Sequence, residues 1–234
     1  MIHKIIDNFL PLPYLSRLQN LTYSKEMQYA FLADTVDHGH RPPIPFKRKE
    51  MVNHDFVCPD GCHQFNSPNQ KDTPQFTSLI YSLYENGVEE KNSVYDDFSP
   101  ILIIMEMYDM PVSRLIRMKM NCLSPHTDHD ENSHHPAHPD WWKYKQEFPD
   151  SDGSNENWIL IFFPFDTDGP FRIFENSLTN KNNLTELKVH VKVEPKANRA
   201  VVLRAEQFHA GSTPIEYNIR HSLNILFTSH ANVL

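Results

Sequence analysis

The stretch NRAVVLRAEQFHAGSTPIEYNIRHSLNILFTS, running from Asn198 to Ser229, decides how this chain folds. Its opening Ala200–Leu203 is a short apolar run and reads as a strand. A loop carrying His209 and a turn at Gly211-Ser212-Thr213-Pro214 follow, and Arg220–Thr228 reads as a second strand. Alternation along that strand puts Arg220, Ser222 and Asn224 on one face and His221, Leu223, Ile225 and Phe227 on the other. Arginine and serine on an otherwise apolar strand are costly to bury unless they meet an anion. A histidine followed eleven residues later by such a cation points to a metal site beside a carboxylate-binding site.

Working outward, Trp158–Phe165 is an almost unbroken apolar run, the pattern of a strand covered on both faces. Asp166–Pro170 (DTDGP) is a turn into a strand at Phe171–Phe174, and Val189, Val191 and Val193 alternate with His190, Lys192 and Glu194 as a half-exposed strand. Ser113–Asn121 reads as a strand with Ile116, Met118 and Met120 on one face and Leu115, Arg117, Lys119 and Asn121 on the other. A polar row of this kind is ordinarily the solvated side of a sheet, and Lys119 is read that way.

The first half is more helical in pattern. A short strand at residues 2–6 precedes an amphipathic helix from Pro13 to about Leu21. The spacing of Phe76, Leu79, Ile80 and Leu83 predicts a helix from Gln75 to Tyr84, ended by Asn86-Gly87. Another is expected from Pro100 to Tyr108, with Ser99 as its N-cap, and its apolar sequence ILIIMEMY predicts burial under the sheet. From Asp37 to Pro74 the chain is Pro- and His-rich and irregular, and the polar KYKQEFPDSDGSNEN after Trp142 reads as a loop or lid.

Metal-ligating residue types crowd into SPHTDHDENSHHPAHPDWW, Ser124 to Trp142, which contains two H-x-D triplets, His126-Thr127-Asp128 and His138-Pro139-Asp140. On an extended segment residues i and i+2 project to one side, so either triplet can put an imidazole and a carboxylate on one ion. Two histidines and one carboxylate on one face of an octahedron leave three positions open. Pro139 biases His138 toward the extended conformation, and Trp141-Trp142 offer apolar walls, which favours His138 and Asp140. His126 and Asp128 remain the alternative pair. A histidine-rich loop of incidental metal affinity would use neither.

Together with LIRMKMN (Leu115–Asn121), HHPAHPD (His134–Asp140) and ILIFFPFDTDGPFRIFE (Ile159–Glu175), this ending resembles the Fe(II)- and 2-oxoglutarate-dependent oxygenases. It is most similar to the small prolyl-hydroxylase-like members common in bacteriophages of marine bacteria. The likeness covers the C-terminal half well and the N-terminal half loosely. It implies a mainly β fold with supporting helices, a double-stranded β-helix of jelly-roll or cupin type. It also implies that His138, Asp140 and His209 hold Fe(II), that Arg220 with Ser222 anchors the distal carboxylate of 2-oxoglutarate, and that the strand Ser113–Asn121 lines the barrel, so that Asn121, or Lys119 against its solvated reading, reaches cofactor or substrate. His135, three residues before His138, matches the family's phrase. The implied reaction is hydroxylation of a C–H bond using O2, with ascorbate as reductant and a prolyl residue in a peptide as the family-level substrate. Two rivals share these residues: a cupin-like metal enzyme without 2-oxoglutarate, which leaves Arg220 and Ser222 without a role, and a non-catalytic, virion-associated β domain.

Composition sets the outer limits. At 234 residues the chain reads as one domain, with 1–112 supplying supporting helices and loops and 113–230 the β core. With 30 acidic residues against 22 basic, and no basic run, the charge balance argues against a nucleic-acid surface. The expected partner is a small molecule or a peptide. No stretch approaches a membrane span and no signal peptide is evident, so a soluble cytoplasmic protein is expected. Cys58, Cys62 and Cys122 are too few for a disulfide framework, and His54–His63 reads as a loop with two reduced thiols in preference to a second metal site.

Overall fold

The structure, a computed structural model, describes residues 3–32, 69–71, 73–83, 87–140, 156–177 and 187–229. Its centre is β6 (Glu156–Phe163), where every residue from Trp158 onward is buried. Antiparallel partners flank it on both sides, β9 (Arg199–Arg204) and β11 (Arg220–Ser229). The large sheet continues outward to β1 (His3–Ile6) beyond β9, and through β5 (Arg114–Leu123) and β3 (Gln75–Leu83) to β2 (Ala30–Leu32) beyond β11. A short β4 (Glu89–Lys91) also pairs with β3. The second sheet has three strands in the order β10 (Gln207–Ala210), β7 (Phe171–Ser177) and β8 (Val189–Val193).

Alternation sorts the apolar residues of the large sheet into two cores. Ile159, Ile161, Phe163, Val201 and Leu203 face the second sheet and meet Phe171, Ile173 and Val193 there. Leu160, Phe162, Val202, Leu223, Ile225 and Phe227 face the other way, onto helices α1 (Leu12–Thr22) and α3 (Pro100–Met107). Each large side chain so buried contributes roughly 1.5–3 kcal/mol, which explains why β6 carries an apolar residue at nearly every position. The N-terminus is stapled to this sheet by Asn198, whose side chain accepts from the Leu10 amide (2.7 Å) and donates to the Leu10 carbonyl (2.8 Å).

Four expectations are corrected. Gln75–Leu83 is the strand β3 and not a helix; its pairing with β5 shifts register between Leu79 and Tyr81, and the bulged Ile80 breaks the alternation that would have betrayed a strand. The same device at Ile116 in β5 places Leu115 with Met118 and Met120 in the helix-facing core, while Ile116 joins the inter-sheet core. Helix α3 is buried on one side only: Ile101 and Met105 are inside, but Ile103 and Met107 are 66% and 78% exposed. Ser99 does not cap α3 with its side chain, because the short helix α2 (Tyr95–Phe98) runs directly into it and the hydroxyl donates to the Asp96 carbonyl. Residues 1–112 therefore supply strands of the large sheet as well as helices. Among the described residues no helix is long and apolar enough to cross a membrane.

Candidate metal centre

The expected loop around His209 is strand β10, and opposite it lies the segment His138–Asp140. His138 and His209 exchange amide hydrogen bonds at 3.1 Å in both directions, and the Asp140 amide donates to the Ala205 carbonyl at 3.0 Å. This antiparallel pairing keeps residues 138–140 extended, so that the His138 and Asp140 side chains project to one side. Pro139 falls between the two amides that donate, where its missing N–H costs nothing. The ligand atoms of His138, Asp140 and His209 all lie within 4.8 Å of one another.

Each group is held in the state a cation needs. The Nδ1 atoms of His138 and His209 lie 2.9 Å from the carbonyls of Pro136 and Gln207. A carbonyl can only accept, so each Nδ1 carries the proton and each Nε2 keeps its lone pair. Burial pushes the His138 pKa down to about 4, assisted by neighbouring His209, and also lowers that of His209. Burial alone would raise the Asp140 pKa, but the Arg117 guanidinium, with His209, His138 and Lys119, outweighs it and holds the carboxyl well below its ordinary range. Arg117 bonds Asp140 Oδ1 at 3.0 Å, whereas Oδ2 has no hydrogen-bond partner among the described residues and stands 3.8 Å from His209 Nε2. A buried anionic oxygen without a donor, facing two imidazole lone pairs, fits a divalent cation of borderline softness such as Fe(II).

An anion pocket adjoins this triangle. Arg220 and Ser222 of β11 face the cavity from rungs opposite Leu123 and Asn121 of β5, and His138 and His209 line the same cavity. Arg220 is 2% exposed, lies over the Phe163 ring at 5.3 Å, and leaves its Nε without a partner among the described residues. Burial lowers its pKa to about 10, which leaves it cationic at neutral pH. Asp168 is the acid that opposes this shift, but its carboxylate is engaged by the amides of Ile215 and Glu216 at 2.8 Å. A Cβ on Gly211 would stand 2.9 Å from an Arg220 terminal nitrogen, so glycine there makes room for the guanidinium. The Asn121 side-chain oxygen accepts from Thr77 Oγ1 at 3.1 Å, and Asn121 lines the same cavity.

Other sequence candidates fall elsewhere. His126 and Asp128 sit on the surface with side chains 40% and 78% exposed, away from the triangle. Lys119 is not on a solvated face but lines the cavity opposite Asn224. Cys58, Cys62, His54, His63, Trp141, Trp142 and residues 143–155 of the expected lid lie outside the described residues, and its last two, Glu156 and Asn157, open β6. Arg117 and Gly211 were passed over; Arg117 shares the alternating face of Lys119 and Asn121, and that periodicity was the available signal.

No family model matches the sequence, and no curated protein does. The fold, however, is similar to solved structures. One is the non-heme alpha-ketoglutarate-dependent epimerase SnoN from nogalamycin biosynthesis, at a TM-score of 0.55 and 10% identity over 97% of this chain and 78% of that one. Another is a prolyl hydroxylase from Trichoplax adhaerens in complex with a hypoxia-inducible-factor peptide, at 0.50 and 12% identity over 96% of this chain and 82% of that one. At such identities the likeness speaks for architecture: the two sheets form the double-stranded β-helix.

Proposed function

We propose that the chain is an Fe(II)- and 2-oxoglutarate-dependent dioxygenase that hydroxylates a C–H bond. The observation that carries this reading is a buried arginine with no anionic partner among the described residues, in a cavity lined also by the two histidines of a His-Asp-His triangle. A dicarboxylate that chelates a metal at one end and needs a cation at the other answers both needs.

When bound, iron with 2-oxoglutarate and O2 supplies the oxidising chemistry, in which 2-oxoglutarate leaves as succinate and CO2 and one oxygen atom enters the substrate C–H bond. The chain's own part is binding, orientation and exclusion of water. His138, Asp140 and His209 present two neutral imidazoles and one carboxylate oxygen. Arg220 and Ser222 hold the far carboxylate of the co-substrate, and Asn121 offers an amide beside them. Ile161 and Phe171 wall the cavity with apolar surface. Ascorbate would serve to keep the iron ferrous. The substrate class is a prolyl residue in a peptide; its support is the architecture shared with a structure described as a prolyl hydroxylase holding a peptide.

The deciding experiment is anaerobic titration of the metal-free protein with Fe(II) and 2-oxoglutarate. A weak visible charge-transfer band, seen only with both present, is expected from chelation of the 2-oxo acid. Iron binding without that band would replace this reading with a metal enzyme that does not use 2-oxoglutarate. Binding of neither would make the chain a non-catalytic β domain.

A further inference from the structure

We propose that Arg117 is a positioning residue that restricts Asp140 to a single metal-facing oxygen and so sets the coordination number of the centre. The inference rests on the metal-binding reading above and concerns how that site is kept open.

Pairing of β5 with β11 runs Arg117 against Leu226 and then Leu115 against Phe227, so Ile116 is the extra residue. Two consecutive residues of a bulged strand can face the same side. Ile116 drops into the apolar inter-sheet core, and Arg117 beside it reaches Asp140. The bulge turns Leu115 over to the helix-facing core, while Arg117 keeps the face it shares with Lys119 and Asn121 and points a cation at the carboxylate of the triangle.

The contact is asymmetric. The guanidinium takes Oδ1 at 3.0 Å, with the two side chains 14% and 9% exposed, and leaves Oδ2 toward His209 Nε2. A carboxylate can bind a metal through one oxygen or two, and a second bound oxygen would fill a position that a chelating co-substrate and O2 require. A charge-assisted hydrogen bond in a desolvated setting holds Oδ1 away from the metal. It also draws electron density from the carboxylate, which leaves the metal a stronger Lewis acid. Arginine suits the task because it stays charged when buried and its planar fork fixes the direction of the bond.

The test uses the whole protein, the variants Arg117→Met and Arg117→Lys, and the metals alone, with Mn(II) for affinity and Co(II) for its ligand-field spectrum. Wild type should bind Mn(II), and Arg117→Met, with the second Asp140 oxygen released to the metal and a neighbouring positive charge gone, should bind it several-fold more tightly. The Co(II) band of Arg117→Met should weaken and shift as the coordination number rises, and Arg117→Lys should move it back toward wild type. Unchanged affinity and an unchanged Co(II) spectrum in Arg117→Met would overturn the proposal even if the metal-free variant melted at lower temperature, since that is the pattern of a merely structural ion pair. Should Arg117→Met fail to fold, a crystal structure of the wild type with Mn(II) decides: one Asp140 oxygen on the metal with Arg117 on the other supports the proposal, and a bidentate Asp140 refutes it. Wild type that binds no Mn(II) would instead sink the metal-binding reading itself, a distinct outcome.

Discussion

His138 and His209 are partners in one antiparallel β-bridge, each donating its amide hydrogen to the other's carbonyl at 3.1 Å, though 71 positions separate them in the chain. The bridge gives the two imidazoles a common backbone reference, with ring centroids 5.0 Å apart. Asp140, two residues on, is drawn to the same side by its own bond to Ala205.

Replacing Asp140 with Asn should therefore weaken Fe(II) or Mn(II) binding by more than the roughly 10–100-fold that loss of a ligand's support costs, and turnover should cease. The parallel change Asp128→Asn, at a side chain 78% exposed, should alter neither. Calorimetric titration of both variants separates the two H-x-D triplets; loss of binding in the Asp128 variant alone would reverse their assignment.

Arg220→Met should raise the 2-oxoglutarate requirement while leaving metal binding intact. Losing one partner of a buried charge pair costs about 2–5 kcal/mol, so the dissociation constant should rise roughly 30-fold or more. The metal-free variant should also be more stable than wild type by about 1–3 kcal/mol, because a buried cation with no hydrogen-bond partner among the described residues is removed. Denaturant midpoints of the metal-free proteins and co-substrate titrations of the metal-loaded ones check both halves.

Gly211→Ala should act on the same pocket without harming the fold. The new methyl meets the far end of the flexible Arg220 side chain at 2.9 Å, so the guanidinium shifts and the backbone does not. Thermal stability should stay close to wild type while 2-oxoglutarate binds several-fold more weakly. At Gly169 the obstacle is backbone, the Thr213 carbonyl at 2.6 Å with φ at +81°, and alanine there should lower the melting temperature by several degrees.

Acid should destabilise the protein partly through His221. Burial lowers its pKa to about 4, and the rings around it, Tyr23, Tyr29 and Phe165, carry no charge in acid. The unfolded chain binds the proton near pH 6.5, so the folded state holds fewer protons between those values and stability falls as pH drops from about 6.5 to 4. At pH 5 the loss from this residue is about 2 kcal/mol. In His221→Gln the difference in unfolding free energy between pH 7 and pH 5 should shrink by about that amount; an unchanged difference would remove His221 as a contributor.

How much was legible in the sequence depended on whether periodicity survived. The strands β6, β9 and β11 were readable because burial on two faces demands a continuous apolar run and burial on one demands alternation. The misread strand β3 carries Phe76, Leu79, Ile80 and Leu83 at helical spacing, since one bulged residue shifts the phase of a two-residue repeat. Lys119 was read as solvated because a lone strand does not reveal that a second sheet will cover its polar face.

The sequence by itself determined the inventory: a mainly β chain, two H-x-D triplets, a later histidine, and a cation with a serine on an apolar strand. Only the tertiary structure decided which triplet joins His209. Pro139 and the tryptophans after it favour the second triplet without excluding the first; backbone pairing brings residues 138–140 against 205–209 and leaves His126 and Asp128 at the surface. A metal centre needs convergence to within a few ångströms, and convergence between distant segments is set by strand register, which no local pattern encodes.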